Sequence, residues 1–499
     1  METLGNLAFG LGVAVGWQNL VYCFVGCFLG TLVGVLPGIG PVATVAMLLP
    51  FTFGLGPAPA LIMLAGIYYG AQYGGSTTAI LVNIPGESSS VVTTLDGYQM
   101  ARRGRAGPAL GIAAIGSFVA GCIATLIIAY FAPPLAEVAL KFSPAEYFSL
   151  MVFGLVAAVV LARGSLLKAI AMVCLGILLG IIGTDVNSGV IRFAFGQTEL
   201  ADGIGFVALA MAFFGIADVL INLEHSEKQE VFTSRIGSVL PTRDDLRVCA
   251  WSIARGTAIG SLLGILPGGG ALLASFAAYM LEKKVAKPPR AFGEGDIRGV
   301  AAPESANNAG AQTSFIPMLT LGIPSNPTMA LMIGAMMIQG IAPGPQVMTE
   351  RPELFWGLIA SMWVGNLMLL ILNLPLVGLW IKLLAVPYRL LFPAIFVFCC
   401  IGVYAVDGKI FDVYEIAVLS AFAYLLLKLD CEPAPLILGF ILGPLMEENL
   451  RRSMMIAFGD PTVFVTRPIS AVFLFAAAAL LIAIALPALR AKREQAMAE

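Results

Sequence analysis

The sequence predicts an all-α protein that crosses a membrane many times, and three observations support this prediction. Hydrophobic residues make up 59% of the 499 residues and charged residues only 12%, about half the charged share of soluble proteins. The mean hydropathy is +0.92. Apolar stretches such as 203–223, 354–374 and 469–489 have about the twenty residues that a helix needs to cross a bilayer. We expect about 11 to 12 transmembrane helices, several of them broken.

A glycine ladder that occurs twice indicates that the chain consists of two related halves. Residues 26–41 and 256–271 are identical at eight of sixteen positions. The repeated glycines are Gly26, Gly30, Gly34 and Gly38 in the first copy and Gly256, Gly260, Gly264 and Gly268 in the second. A second match joins residues 83–90 to residues 322–328. Duplicated apolar halves with segments broken by glycine and proline are typical of secondary transporters.

The distribution of Lys and Arg predicts that the second half is inverted relative to the first. Between the ladder and the second match, residues 51–60 of the first half carry no charge. The corresponding part of the second half carries Lys283, Lys284, Lys287, Arg290 and Arg298. After the second match the imbalance reverses, with Arg102, Arg103 and Arg105 against Arg351 alone. Because cytoplasmic loops carry the excess of Lys and Arg, corresponding loops are expected on opposite sides of the membrane.

These patterns divide the chain into four parts. We expect an N-terminal transmembrane repeat at residues 1–223, a polar cytoplasmic linker at 224–250, a C-terminal transmembrane repeat at 251–489 and a polar tail at 490–499. A third match joins residues 180–196 to residues 443–459. Basic residues near the end of the chain, such as Arg451, do not follow one strict inversion, so the topology of the last third is left open.

A proline-glycine break at the end of each ladder is the first candidate site. Proline removes a backbone donor and glycine permits unusual backbone angles, so a helix should unwind or turn here. In transporters, carbonyl groups freed at such breaks coordinate cations, and the start of the next half-helix faces an anion. The alternative is that these segments only let helices pack closely. The cation-coupling candidates at the breaks are Pro37, Gly38, Gly40, Pro267, Gly268 and Gly270.

Two polar tips, one in each half, form the second candidate site. Hydroxyl, amide and exposed N–H groups can bind a carboxylate without burying a permanent positive charge. We expect re-entrant hairpins to carry these tips into the membrane, although the same residues also form ordinary surface turns. The predicted substrate-binding residues are Asn83, Gly86, Ser88, Ser89 and Ser90 in the first half and Ser325, Asn326 and Thr328 in the second.

The matched segments 68–78 and 304–314, which precede the tips, supply the third candidate. Gln72, Asn307 and Asn308 are expected to line a cavity, with interhelical hydrogen bonding as the alternative. Ionisable residues at membrane depth are functional candidates by default, and those in these regions are Glu87, Asp96, Asp185, Asp218 and Glu304. We assign cation coupling to Glu87 and Glu304, and the alternative is that both lie at the membrane surface.

Several function classes are disfavoured. The only histidine, His225, lies in the polar linker, which argues against histidine-based triads and multi-histidine metal sites. The sequence contains no GxxxxGK[ST] motif, so it gives no indication that ATP hydrolysis drives the protein. The net charge of −2 without a long basic run argues against nucleic acid as a partner. We therefore expect a protein that is not an enzyme and has no cofactor beyond sodium or a proton as the coupling ion.

Five motifs in order resemble the large membrane subunit of bacterial tripartite tricarboxylate transporters. They are GTLVGVLPGIGP at Gly30, YYGAQYGGSTTAILVNIPGESSS at Tyr68, GSLLGILPGGG at Gly260, APESANNAGAQTSFIPMLTLGIPSNPT at Ala302 and PLILGFILGPLMEENLRRS at Pro435. The resemblance implies uptake of citrate or related carboxylates across the cytoplasmic membrane, driven by a sodium or proton gradient. It also implies two partners, a small four-span membrane subunit and a periplasmic solute-binding protein. Alternatives from other classes are a passive anion channel and a membrane-embedded enzyme.

Overall fold

The computed structural model describes residues 2–36, 39–162, 165–185, 188–224, 238–266, 270–286, 292–384 and 388–485. These residues form 23 α-helices and one short β-hairpin, which confirms the all-α class. In the first half the helices are α1 (Glu2–Ala14), α2 (Trp17–Gly34), α3 (Pro41–Leu48), α4 (Pro57–Val82), α5 (Val91–Arg102), α6 (Ala106–Ala139), α7 (Pro144–Leu161), α8 (Leu166–Gly180), α9 (Phe206–Ala210) and α10 (Ala217–Glu224).

The helices of the second half begin close to the end of the polar linker. They are α11 (Arg243–Leu263), α12 (Gly270–Val285), α13 (Arg298–Thr313), α14 (Phe315–Leu321), α15 (Pro327–Ile338), α16 (Gln346–Glu350), α17 (Pro352–Asn373), α18 (Val377–Leu384), α19 (Tyr388–Asp407), α20 (Ile410–Lys428), α21 (Pro433–Ile456), α22 (Val463–Thr466) and α23 (Pro468–Ala485). Residues 243–250 of the predicted linker are therefore helical, and His225 lies outside the described residues.

Four helices in the described part, α2, α6, α17 and α20, are long and apolar enough to cross a membrane individually. Others are short: α3 has 8 residues and α15 has 12, against about 20 for a full crossing. The apolar stretch 203–223 is broken into α9, a π-helical turn at Met211–Ile216, and α10. The chain is thus a multi-pass membrane protein with broken helices, and the predicted number of spans stays a prediction.

The two glycine ladders pack their helices in the same way in both halves. A Cβ atom placed on Gly30 of α2 would lie 2.3 Å from the carbonyl oxygen of Ile67 in α4. A Cβ atom placed on Gly260 of α11 would lie 2.3 Å from the carbonyl oxygen of Ala306 in α13. The backbones are too close for any side chain, as in other small-residue helix contacts. The ladders therefore serve helix packing.

The second helix of each pair contacts its counterpart from the other half. Ser76 of α4 donates a 2.6 Å hydrogen bond to Oε2 of Glu304 in α13, and the ring centroids of Tyr68 and Phe315 lie 6.4 Å apart. From the first contact to the second, the position advances along α4, from Tyr68 to Ser76. In the other half it goes back along the chain, from Phe315 of α14 to Glu304 of α13. The two matched segments run in opposite directions, as an inverted repeat requires, while the inversion of the complete halves stays a prediction.

The third sequence match does not follow an inversion. A Cβ atom on Gly176 of α8 would lie 2.0 Å from the carbonyl oxygen of Leu436, and one on Gly180 would lie 2.5 Å from that of Phe440 in α21. Contacts that advance together along both helices mean that α8 and α21 run in the same direction. An inversion would orient matched helices oppositely, so this pair is related in a different way.

A cluster of four charged residues fixes the hairpin that follows α8. Its strands are β1 (Gly183–Thr184) and β2 (Ile191–Arg192), paired antiparallel. Arg192 forms ion pairs with Asp185 at 2.9 Å and with Glu447 of α21 at 3.1 Å. Arg451 pairs with the same two acids at 3.0 and 2.5 Å. Asp185 is therefore part of an ion-pair cluster at the end of α8 and α21.

One end of the molecule, called the basic end here, carries the exposed side chains of Arg102, Arg103, Lys283 and Lys284. Asp96 of α5 is fully buried near this end. Its Oδ1 accepts hydrogen bonds from the backbone N–H groups of Gly293, Gly295 and Asp296 at 2.8 to 2.9 Å. The hydroxyl of Tyr279 donates to its Oδ2 at 3.0 Å. A helix of the first half thus holds the loop between α12 and α13 of the second.

A second contact ties the halves together at the basic end. Arg105, just before α6, pairs with Asp245 in the first turn of α11 at 2.6 Å. The backbone of Ser238 packs directly on Gly107 of α6, since a Cβ atom there would lie 2.2 Å from the Ser238 carbonyl oxygen. The described end of the linker therefore lies against the first half.

Candidate functional site

The proline-glycine breaks are only partly described by the structure. Pro37, Gly38, Pro267 and Gly268 lie outside the described residues. Gly40 caps the start of α3, and Gly270 is the first residue of α12. A Cβ atom on Gly40 would lie 3.6 Å from the carbonyl oxygen of Gly86. The break after the first ladder therefore touches the first polar tip.

The first tip is held against the ladder helices by glycine contacts. Asn83 ends α4 in the left-handed conformation with φ of 59°. A Cβ atom on Gly86 would lie only 2.3 Å from Cα of Gly75, so the tip backbone presses on α4. Ser90 both donates to the Glu87 carbonyl oxygen, at 2.9 Å, and accepts from the Glu87 backbone N–H, at 3.3 Å. These local bonds fix the tip in one conformation.

The second tip is built similarly around α14 and α15. Gly322 ends α14 with φ of 71°. Ser325 is buried and donates to the carbonyl oxygen of Ser314 at 3.2 Å. Asn326 caps α15, because its Oδ1 accepts from the backbone N–H of Met329 at 2.9 Å. Thr328 is buried in the first turn of the same helix. The oxygen of Asn326 is thus used locally, and its amide nitrogen is the group left to contact a ligand.

Glu304 lies at the contact between the two halves. The side chain is fully buried. Ser76 of α4 donates to its Oε2 at 2.6 Å, and Thr93 of α5 donates to its Oε1 at 2.5 Å. Both donors belong to the first half, whereas Glu304 belongs to α13 of the second. Each oxygen of the buried carboxyl group is therefore held by one neutral hydroxyl group.

Glu87 forms the reciprocal contact from the first tip. It is 9% exposed, and its Oε1 accepts a 2.7 Å hydrogen bond from Nδ2 of Asn307. The Ser89 hydroxyl lies close to the same carboxylate. Asn308, the next residue along α13, donates to Ser117 of α6 at 2.6 Å. Hydrogen bonding between segments, the alternative to cavity lining for Asn307 and Asn308, is therefore present, and the bond of Asn307 involves the predicted coupling residue Glu87 on the first tip.

Neither of the two acids has a basic partner in the described part of the chain. The ion pairs formed by described residues involve other acids. No group of three or more His, Cys, Asp or Glu side chains is assembled there that could hold a metal ion. A charged group in a buried environment is costly unless another charge or hydrogen bonds offset it. Among the described residues, the site therefore has acceptor oxygens and two carboxyl groups but no basic side chain paired with them.

The other predicted elements surround these acids. Residues 88–90 contact both α12 and α13, and α15 contacts α3 and α4. The Tyr68 hydroxyl lies near the side chains of Ser314 and Asn326. The starts of α3, α5, α12 and α15 thus gather around one region. Asn83 and Ser88 are exposed at its edge, whereas Gly86, Ser89 and Ser90 are buried. Asp96 and Asp185 lie elsewhere, and the side chain of Asp218 is outside the described residues.

Sequence reasoning did not identify Thr93, Ser117 and Tyr68 as part of the site. Tyr68 and Ser76 lie in the quoted motif, and the duplication of that segment is the signal that could have found them. Thr93 and Ser117 come from α5 and α6, which have no matched polar segment. Only the folded arrangement brings these two hydroxyl groups to α13.

Comparison with known proteins identifies the family of the chain. The model of the tripartite tricarboxylate transporter TctA family matches residues 20–438. A protein of Agrobacterium vitis, named only as an uncharacterized 52.8 kDa protein in the TAR-I ttuC′ 3′ region, is 58% identical over this whole chain and 99% of its own length. A second, named as an uncharacterized protein in the TAR-II ttuC′ 3′ region, is 60% identical over 48% of this chain and 99% of its own. No solved structure matches. The chain belongs to the tripartite tricarboxylate transporter TctA family.

Proposed function

We propose that the chain carries an organic carboxylate of the di- or tricarboxylate class into the cell across the bacterial cytoplasmic membrane, driven by a cation gradient. It would act as the large permease subunit, beside a small four-span membrane subunit and a periplasmic solute-binding protein. One observation carries the proposal. Glu87 and Glu304, from different halves, are both buried, with hydrogen-bonded neutral neighbours and no basic partner among the described residues.

The missing positive charge is the reason for assigning cation coupling. A buried carboxylate that lacks a countercharge is unfavourable, and a proton or a sodium ion taken from the gradient would offset it. The cation would bind when the site is open to the side of high cation concentration and leave on the other side. When an anion crosses in the same cycle, its negative charge offsets the positive charge of the cation, so less net charge crosses the membrane.

The polar tips are suited to the anion. The starts of α3, α5 and α15 present backbone N–H groups and the positive ends of helix dipoles. The amide of Asn326 and the hydroxyl of Ser89 add neutral donors close to these helix starts. An anion held in this way needs no Lys or Arg, so it can be released again without breaking a strong ion pair.

We further propose that the tips and breaks move together against the remaining helices, in an elevator-like or rocking displacement. The basic end would face the cytoplasm, since Arg102, Arg103, Lys283 and Lys284 are exposed there. This orientation puts the hairpin β1–β2 and the end of α21 on the opposite, periplasmic side. It also agrees with a cytoplasmic linker.

Uptake in proteoliposomes tests the proposal. The chain and its small membrane partner are reconstituted with and without the binding protein, and labelled citrate and other organic acids are supplied under imposed sodium or proton gradients. Gradient-driven accumulation that needs the binding protein is the expected result. Transport that only equilibrates the acid would instead identify a passive anion channel. Absence of transport for every acid under both gradients would contradict the proposal.

A further inference from the structure

A small cavity lies beside Glu304, between α4, α6 and the end of α17. Its volume is about 20 Å³, which is room for about one water molecule. The oxygen-bearing side chains that line it are those of Tyr73, Ser76, Thr77, Ser117 and Asn373. Two of these, Ser76 and Ser117, also contact Glu304, through its carboxylate at 2.6 Å and its backbone carbonyl at 3.5 Å. The cavity is therefore separated from the buried acid by single hydroxyl groups.

The hydroxyl groups around the cavity direct their hydrogen atoms away from it. Ser76 donates to Glu304 and Thr77 donates to the carbonyl oxygen of Tyr73 at 3.2 Å. Ser117 donates to the Glu304 carbonyl and accepts from Asn308 at 2.6 Å. A hydroxyl oxygen that donates its only hydrogen elsewhere presents lone pairs to its remaining neighbours. The cavity wall thus offers acceptors.

Asn373 supplies an independent observation. The residue is 4% exposed, and its Oδ1 has no hydrogen-bond partner among the described residues. Its Nδ2 donates to the carbonyl oxygen of Leu369, one turn earlier in α17, at 2.9 Å. The amide is therefore oriented with its nitrogen toward its own helix and its oxygen unpaired at the cavity. Buried polar atoms are almost always paired in folded proteins. An unpaired oxygen that also lines a cavity has room there for a bound partner, and Asn373 meets both conditions.

We propose that this cavity binds a monovalent cation of about the size of sodium, held by Asn373 Oδ1 and the oxygens of Ser76, Thr77 and Ser117. Hard cations take oxygen ligands, and one of the lining hydroxyl groups, that of Ser76, is hydrogen-bonded to the Glu304 carboxyl group, which can offset a single positive charge. The inference rests on the proposed function, because it gives the coupling cation of Glu304 its binding site. It places that site away from the proline-glycine breaks where the sequence pattern suggested it.

Two variants remove oxygen atoms from the cavity and keep the number and branching of the side-chain heavy atoms. Asn373→Leu removes the unpaired Oδ1, and Thr77→Val removes a hydroxyl whose hydrogen bond lies within α4. Asn366→Leu is the matched control. Asn366 is a fully buried asparagine on the same helix, both of its amide atoms are unpaired, and it does not line the cavity. It lies about 10 Å earlier along α17.

Equilibrium binding of radioactive sodium to the purified chain gives a readout that does not depend on uptake. We expect saturable sodium binding by the wild type, weakened by about tenfold or more in Asn373→Leu and Thr77→Val, and unchanged in Asn366→Leu. Thermal unfolding of each variant verifies that it is folded.

The remaining outcomes separate this inference from the proposed function. If both cavity variants bind sodium as tightly as the wild type does, the proposed location of the site is wrong. Sodium-driven uptake by those variants would leave the proposed function standing. Absence of sodium binding by the wild type, with uptake driven by a proton gradient, would likewise overturn only the inference. If neither gradient drives uptake, the proposed function itself fails.

Discussion

The side-chain amide of Asn307 donates a 2.7 Å hydrogen bond to Oε1 of Glu87, although the two residues are 220 positions apart in the chain. One residue belongs to α13 of the second half and the other to the first polar tip. The bond can form only when the halves are assembled. The same bond connects Glu87, which is proposed to couple cations, to Asn307, which is predicted to line the substrate cavity.

A double-mutant cycle tests this contact. Glu87→Ala and Asn307→Ala are made separately and together, and the unfolding temperature in detergent is measured for each. Asn307→Ala leaves a buried carboxylate without its donor, which costs about 1 to 3 kcal/mol. We expect the double variant to lose clearly less stability than the sum of the single variants, with a coupling of about 0.5 to 3 kcal/mol. Strict additivity would mean that the contact contributes nothing.

The substitution Glu304→Gln tests cation coupling. Glutamine has nearly the same shape, and its oxygen can still accept from Ser76 or Thr93, so the protein should fold and enter the membrane. A neutral side chain needs no cation to offset it. We expect gradient-driven uptake to fall to the level of protein-free liposomes. Glu353→Gln, at the exposed start of α17, serves as the control and should transport normally; normal uptake by Glu304→Gln would remove Glu304 from the coupling site.

Gly260→Ala tests the close packing of α11 on α13. The added methyl group would lie 2.3 Å from the Ala306 carbonyl oxygen, a backbone atom that cannot move aside. Overpacking of this kind costs about 1 to 3 kcal/mol or more, so the yield of monodisperse protein and the unfolding temperature should both fall. Gly12→Ala adds the same methyl group to α1, where no atom lies within 4 Å. That control should be neutral or slightly stabilising.

Two substitutions at Asn326 separate its capping role from a role in substrate binding. Asp keeps an oxygen that accepts from Met329, whereas Ala removes the cap at a cost of about 1 kcal/mol. If the amide nitrogen contacts a carboxylate substrate, Asn326→Asp should remain as stable as the wild type but lose uptake through like-charge repulsion. Equal transport by Asn326→Asp and the wild type would show that Asn326 is only a cap. Ser89→Ala should reduce uptake without changing stability or membrane expression.

The sequence was sufficient to predict the all-α class, because apolar stretches of spanning length leave few alternatives. The ladder and the segments after it, which occur twice, also supplied the candidate site; the structure brings their described residues together, while their roles in binding stay predictions. The antiparallel contact of α4 with α13 and α14 agrees with the inversion inferred from Lys and Arg. Short, broken helices such as α3 and α15 have no such clear signal in composition.

The partners inside the site could not be predicted from the sequence. Thr93, Ser117 and Asn373 lie in three separate helices, outside the matched segments 68–78 and 304–314. Thr93 and Ser117 reach Glu304 through the packing of α5 and α6 on α13, and Asn373 reaches the cavity through the packing of α17 on α4 and α6. No local pattern encodes this packing. The parallel packing of α8 and α21 was missed for the same reason, since a match between two segments does not state their relative direction.

The hydrogen bonds of Asp96 and the Arg105–Asp245 ion pair restrict how the two halves can move. Both contacts lie toward the basic end, and both join a segment of the first half to one of the second. A relative motion that keeps them intact must be a rotation pivoting near that end, with displacement increasing toward the opposite membrane face. Large translations of one whole half would first have to break four hydrogen bonds to a single buried carboxylate.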